Sequence, residues 1–319
     1  MMKYKRTYNW LYTTIAAIGI IVLFVNGNSG KVATVEKDGS VKTVVFLTGD
    51  DRGHASGTHE FYAGAILLKK SLESGVYKGK VNCVVVNNWP KNLEVLKSAD
   101  LIVHYYRGAR FHFLNKNHQI INGLANKGVG QMFIHFGLDP NQEAEAAIKS
   151  WTGGVYKDKH STNPFWTITA ELEKHPINNG VNPYKLRDEW YLNIDFEASD
   201  QKGGNAVDTQ VKGVMKGQNG DIQKVKKVVK NLGKKLTKDQ LTVMWAKERT
   251  DGGRGIGVTG GHFHKNWAND DFRKQILNAI VWGVKLKVPD EGMISPKVSK
   301  EDLLKNRDVK KKGYQADSL

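Results

Sequence analysis

From residue 42 onward the chain repeats one pattern: a short run of uninterrupted apolar residues, a turn, then a stretch with helical spacing. Residues 41–48, 81–86, 101–105 and 131–136 are the apolar runs, and residues 60–72 and 117–126 carry the helical spacing. A strand that is apolar at every position is buried on both faces, and the intervening helices are the crossovers that parallel strands require. The expected fold is therefore α/β, a parallel sheet with helices on both faces. Residues 241–247 and 256–259 read as further strands. Residues 270–284 form a closing helix with Phe272, Ile276, Leu277, Ile280 and Val281 on one stripe, and Thr58 is the expected N-cap of the first helix. Residues 151–240 are irregular, rich in Asn, Pro and Gly and then in Lys, which fits one domain over about 40–290 with a long insertion. Residues 291–319 form a basic tail, expected to wrap the surface or fray.

The start of the chain is a separate object. Lys3, Lys5 and Arg6 precede an apolar run over 11–25 that is broken only by Thr13, Thr14 and Gly19. A basic start followed by about 7–15 apolar residues is the pattern of an export signal, whereas a bilayer span needs about 20. Residues 1–27 are therefore read as a signal peptide or an N-terminal membrane anchor. Either places the folded part in a periplasmic or extracellular setting.

A net charge of +16 raises the question of nucleic acid. Its location answers it. Residues 201–240 hold +7, the tail from 297 holds +3 and the first ten residues hold +3, so thirteen of the sixteen charges lie in a leader, an insertion and a tail. No aromatic residue interrupts the lysines of 201–240, so bases would find nothing to stack on, and no specific nucleic-acid partner is expected. Cys83, the single cysteine, lies inside the second apolar run and reads as an inert core residue.

Ligands of an open parallel sheet bind beyond the carboxyl ends of its strands. The four loops at those ends hold seven of the ten histidines: His54, His59, His104, His112, His135, His262 and His264. His262 and His264, at i and i+2, point to one side if extended. His135 closes the fourth strand where other α/β enzymes carry a nucleophile, and an imidazole there suits acid–base work. His54, His59 and Glu60 lie beside the positive end of the first helix, which favours anionic or hydroxyl ligands. In Asp188-Glu189-Trp190-Tyr191 adjacent strand side chains face opposite ways, so one carboxylate enters a pocket and the other is structural; which is which stays open. Trp190, Tyr191 and Trp267 offer ring faces for a sugar. Arg254 offers a guanidinium to an oxygen-rich substrate, although Asp251-Gly252-Gly253-Arg254 reads equally well as a tight turn. Gly255-x-Gly257-x-x-Gly260 matches a dinucleotide fingerprint by letter, but it opens no helix and has no acidic partner about 20 residues on, so it is rejected.

Several of these segments together resemble the ThuA-like family. They are Gly57-Thr58-His59-Glu60, Trp151-Thr152-Gly153-Gly154, the stretches 160–164, 175–177, 188–191 and 245–249, Asp251 to Arg254, Thr259 to His264, and 272–282, all in family order. The resemblance implies a flavodoxin-like core similar to class I glutamine amidotransferases and a role in using trehalose and related disaccharides. That role often stands beside dehydrogenases that make 3-keto-glycosides. The expected function is an exported enzyme acting on a disaccharide or 3-keto-glycoside by hydrolysis, elimination or isomerisation. His135, His262, His264, Asp188 and Glu189 are the catalytic candidates. His54, His59, Glu60, Trp190, Tyr191, Arg254 and Trp267 are the substrate-binding candidates. A non-catalytic saccharide-binding module is the alternative. Glutamine amidotransfer is excluded because its thiolate nucleophile has no counterpart at a strand-to-helix turn. No cofactor is expected and no metal ligand is assigned, since no signature spacing is present, though three histidines and a carboxylate would suit a divalent metal. The expected partner is a small saccharide, with N-terminal membrane association and homo-oligomer formation left open.

Overall fold

The structure is a computed structural model that describes residues 41–51, 53–198, 207–214, 219–231, 233 and 241–308. In chain order the elements begin with β1 (Lys42–Thr48), α1 (Phe61–Ser74), β2 (Val81–Asn87), α2 (Glu94–Lys97), β3 (Leu101–Tyr105), α3 (Leu114–Ala125) and β4 (Gly130–Ile134). Next come α4 (Gln142–Thr152), β5 (Gly154–Val155), β6 (Phe165–Glu171), β7 (Lys185–Glu189), β8 (Asp195–Phe196), β9 (Thr209–Val214) and α5 (Asn219–Asn231). The chain continues with β10 (Thr242–Glu248), β11 (Arg254–Val258), α6 (Asp270–Gly283) and α7 (Lys300–Leu304).

Nine strands form one sheet in the order β2-β1-β3-β4-β11-β10-β9-β6-β7. The first five are mutually parallel. β1 shows why such strands are apolar throughout. Val44 and Phe46 point into one core with Phe61 and Leu68 of α1 and Ile276 and Ile280 of α6. Val45 and Leu47 point into the other with Leu114 and Ile121 of α3 and Ile148 of α4. Successive side chains alternate across a strand, so a sheet covered on both faces needs both sets apolar.

Beyond β11 the sheet turns antiparallel through β10, β9, β6 and β7. The reversal is built by the turn between β10 and β11. There Asp251 accepts from the Gly253 amide at 2.7 Å and from Arg249 Nε at 3.1 Å, while the Arg249 amide donates to Gly253 O. The glycines and Asp251 thus make the tight turn that was one of two sequence readings. Part of the lysine-rich insertion is ordered here: β9 is a strand of the main sheet, and Val225 and Val229 of α5 are buried. The remainder of 201–240 lies outside the described residues.

Two smaller expectations are corrected. Thr58 does not cap α1, because its hydroxyl donates to Ala55 O at 2.7 Å and the N-cap position belongs to Glu60. The fourth apolar run ends as a strand at Ile134, and His135 opens a 3-10 turn. As far as residue 308 the tail lies against the domain. Ser299 and Asp302 form a capping box on α7, Leu303 is buried, and Arg307 pairs with Glu60 at 3.3 Å. Burial pushes the Cys83 thiol up to about 12, with Glu73 adding to the effect, as an inert core cysteine requires. Among the described residues no helix is long and apolar enough to cross a membrane, and residues 1–27, expected to be a leader or anchor, lie outside them.

Candidate functional site

Four segments meet beyond the carboxyl ends of the parallel strands. The loop after β1 carries His59, the turn after β4 carries His135, the loop after β11 carries His262, and the end of β7 brings Glu189 from the antiparallel side. His59 and His135 both have φ of +51°, a left-handed backbone that costs a non-glycine residue roughly 1–3 kcal/mol and gathers at functional sites. Gly261, at φ +114°, lets the third loop turn inward, and Gly260 passes so close to Trp190 that a Cβ would sit 2.2 Å from its ring.

The ring atoms then come within touching distance. His59 Nε2 lies 3.1 Å from His135 Nε2 and 3.0 Å from His262 Nδ1, and His262 Nδ1 is 3.3 Å from His135 Nε2. Glu189 Oε2 lies 3.3 Å from His135 Nε2 and 3.2 Å from His262 Nδ1. Each group is aimed from behind. Asp51 Oδ2 holds His59 Nδ1 at 2.8 Å, the Thr259 carbonyl holds His135 Nδ1 at 2.8 Å, and Asn163 Nδ2 donates to Glu189 Oε1 at 3.1 Å.

The acidic pair divides as strand geometry requires, and the structure says which way. Glu189 enters the cluster. Asp188, fully buried, turns to the other side and accepts from the amides of Gly261 at 2.8 Å and His262 at 3.2 Å and from Asn266 Nδ2 at 2.9 Å. It fixes the loop that presents His262.

Charge is shared unevenly here. Burial works against ionised Glu189, but hydrogen bonds from His135 and His262 prevail and hold its carboxyl well below the usual range. Burial likewise disfavours charged His135, and the Glu189 carboxylate outweighs it, so His135 is raised. His59 is driven well below its ordinary value, first by burial and then by the imidazoles of His135, His262 and His54, against the opposing pull of Asp51. Burial would raise Asp51, but His54 and His59 hold it far below an ordinary carboxylate.

The cluster opens on a cavity of about 1200 Å³ whose walls include His54, His59, Phe136, Asp139, Tyr156, Asn163, Phe165, Glu189, Tyr191, His262 and His264. Asp139 stands out among them, since burial and the nearby Asp158 push its carboxyl up to about 7. The tail supplies one rim of the cavity through Lys300, Leu304 and Arg307.

Of the residues singled out from the sequence, His59, His135, His262 and Glu189 are brought together, and Tyr191 packs beside His135 with ring centroids 4.9 Å apart. His54 and His264 line the cavity, but their rings are outside the four-atom cluster. Glu60 lies behind it, accepting from the amides of Gly57 and Asp308. Three candidates are placed away from the cavity. Arg254 begins β11, at the opposite rim from the loop that follows it, where it donates to Trp282 O at 2.5 Å. Trp190 is buried against Phe272, and its indole donates to Leu186 O at 3.2 Å. Trp267 is buried between Tyr105 and Phe272. Large aromatics fill cores more often than pockets because burying their area is worth several kcal/mol.

Sequence reasoning passed over Asp51, Asp139, Tyr156 and Asn163. Asp51 and Asp139 had a usable signal, since each follows the carboxyl end of a parallel strand. Asn163 lay in the family-like stretch 160–164 but was given no role, and Tyr156, in irregular chain, had no signal.

The sequence model of the family described as trehalose utilisation, ThuA, matches residues 53–283. Among solved structures, a ThuA-like protein from Bacteroides uniformis is similar at 16% identity and a TM-score of 0.52, covering 79% of this chain and 95% of its own. A ThuA-like protein from Parabacteroides merdae is similar at 12% identity and a TM-score of 0.51, covering 83% and 99%. These two likenesses concern the fold. Curated protein sequences contain no significant match.

Proposed function

Because this chain belongs to the ThuA family, we propose that it is an exported enzyme that processes a disaccharide or its 3-keto derivative in the histidine-lined cavity. The family's description, trehalose utilisation, supports the choice of substrate. One observation carries the choice of catalysis over mere binding: three imidazoles and a carboxylate are packed around a single point facing a cavity large enough for two sugar rings. Ligand pockets commonly measure about 300–1,000 Å³. A lectin-like site needs ring faces and hydroxyl acceptors and would gain nothing from crowding three buried imidazoles together.

The chemistry follows from what a 3-keto sugar makes easy. The carbonyl acidifies the C–H at C2, so a modest base removes that proton. The C–H electron pair becomes the C1–C2 double bond, and the glycosidic C1–O pair leaves with its oxygen. That oxygen takes a proton, releasing a free sugar and an unsaturated keto sugar. Imidazoles of the cavity wall outside the four-atom cluster, His54 and His264, stand where the base is needed. Asp139, a carboxyl poised near 7 on the cavity wall, is the proton donor. Phe136, Phe165 and Tyr191 offer ring faces to the C–H surfaces of the sugar.

Incubation with trehalose, other disaccharides and their 3-keto counterparts, followed by product release, tests this reading. The expected result is a free sugar released by the native protein and abolished in His135→Ala. Saccharide binding without turnover at any pH or with any added cation would make the protein a binding module instead.

A further inference from the structure

With all three imidazoles neutral, the hydrogen-bond accounting of the cluster does not close; it needs one further positive charge. His59 Nδ1 faces the Asp51 carboxylate and His135 Nδ1 faces the Thr259 carbonyl, both at 2.8 Å, and neither partner can donate. Both Nδ1 atoms therefore carry hydrogen, and each Nε2 of a neutral ring presents a bare lone pair. Those lone pairs face one another at 3.1 Å. His262 Nδ1 can bring one hydrogen, but His59 Nε2, His135 Nε2 and Glu189 Oε2 all lie within 3.3 Å of it. One hydrogen cannot satisfy three acceptors. A buried arrangement of this kind is repulsive until positive charge enters it, either as a proton on an imidazole or as a metal cation.

The spacing fits such a cation. A zinc–nitrogen bond of about 2.0–2.1 Å in a tetrahedral site implies donor–donor edges of about 3.3–3.4 Å. Five of the six edges here are 3.0, 3.1, 3.2, 3.3 and 3.3 Å, and all four donor atoms lie within 4.8 Å of one another. The surroundings fit as well. Metal-bound imidazoles give their other nitrogen to a carboxylate or carbonyl, as His59 does to Asp51 and His135 to Thr259, and a ligating carboxylate is itself held, as Glu189 is by Asn163.

We propose that His59 Nε2, His135 Nε2, His262 Nδ1 and Glu189 Oε2 bind one divalent transition-metal ion of the zinc type. Three imidazoles with one carboxylate oxygen are the donor set that such ions prefer over magnesium or calcium. His59, His262 and Glu189 also line the cavity, so the ion has an open side. That side would accept the neighbouring carbonyl and hydroxyl oxygens of a keto sugar, a five-membered chelate that polarises the carbonyl and stabilises the anion left when the C2 proton departs. This last step rests on the function proposed above; the metal site itself does not.

The test is metal content and affinity of the untagged full chain, dialysed against zinc, cobalt, nickel, manganese and ferrous ions in turn. The expected result is one equivalent of ion per chain, with affinity lowered at least a hundredfold in His262→Ala and Glu189→Ala, each checked for native circular dichroism. Asp51→Asn, which loosens His59 from behind, is expected to weaken binding about 10–100-fold. Should the first two variants fail to fold, anomalous scattering from native crystals soaked with the ion locates it directly, and the expected peak lies between the four donor atoms. The proposal is overturned by native protein that retains no ion at micromolar concentration. It is also overturned by binding that survives Glu189→Ala but is lost in His54→Ala, which would move the ion to the neighbouring group Asp51, His54 and His59. Metal without sugar turnover would uphold the site and sink the functional reading; turnover without metal would do the reverse.

Discussion

Two groups of buried histidines in this fold do opposite things. His104 and His112 belong to the core. His104 donates from Nε2 to Gln131 Oε1 at 2.9 Å, accepts at Nδ1 from the Tyr106 hydroxyl at 3.1 Å, and stacks on Phe133 with centroids 4.1 Å apart. His112 donates to Gly137 O at 2.8 Å and accepts from the Leu114 amide at 3.2 Å. Every ring nitrogen has a complementary partner, and both imidazoles are neutral and structural. His59, His135 and His262 are equally buried, yet their nitrogens face one another. Burial and position at the strand ends do not separate the groups. The proton accounting does: a closed account marks a histidine that holds the fold, and an open one marks a place built to take something in.

The contrast can be broken most forcefully at His135. His135→Ala is expected to lower kcat/KM on the saccharide substrate by about 10²–10⁴-fold, with a cooperative unfolding transition retained, as steady-state kinetics and thermal denaturation would show. The mirror experiment is His104→Ala. It leaves a cavity and two unpartnered polar groups, so a loss of about 2–4 kcal/mol is expected in denaturant titration, with the activity of the folded fraction unchanged. If His104→Ala abolished activity without destabilising the protein, the division into two groups would fail.

Acid titration sharpens the same division. Burial holds His104 down to about 3 and His112 down to about 4, against an unfolded value of about 6.5. Below 6.5 the unfolded chain takes up protons that the folded chain refuses. The stability these residues contribute is therefore complete above pH 6.5 and is lost as pH falls towards 3–4. A loss on the order of 1–2 kcal/mol per histidine is expected between pH 7 and 5, measured by chemical unfolding, and His104→Gln should flatten part of that slope. The smallest effect is expected at Arg254, which packs over Trp282 at the opposite rim with its guanidinium 4.5 Å from the ring centroid. Arg254→Met should cost about 1 kcal/mol of stability and leave kcat/KM untouched.

The parallel half of the sheet was legible because its strands are apolar on both faces and its helices repeat at 3.6 residues. Of the antiparallel half, β10 was legible as the apolar run 241–247, and the other strands were not. Lys185–Glu189 alternates exposed and covered residues at the sheet edge, and Thr209–Val214 hides inside a lysine-rich stretch, so neither shows the signal of a buried strand. Periodicity could say that Asp188 and Glu189 face opposite ways but not which faces the cavity, since that depends on where the end of β7 crosses to the loop after β11. Arg254 was drawn to the site by closeness in sequence to His262. In an extended chain the eight residue steps from Arg254 to His262 span about 25 Å, enough to reach the far rim of a sheet. His59 was read as a substrate contact because its partners, His135 and His262, are 76 and 203 residues away, and only the fold sets their distance.

The most direct measurement is side-chain nitrogen NMR of the histidines during a titration with the saccharide substrate or a non-reactive analogue. The ring resonances of His59, His135 and His262 should shift together at saturation while those of His104 and His112 stay fixed. Shifts confined to His104 and His112, or none in the other three at full occupancy, would contradict the assignment of this cluster as the place where chemistry occurs.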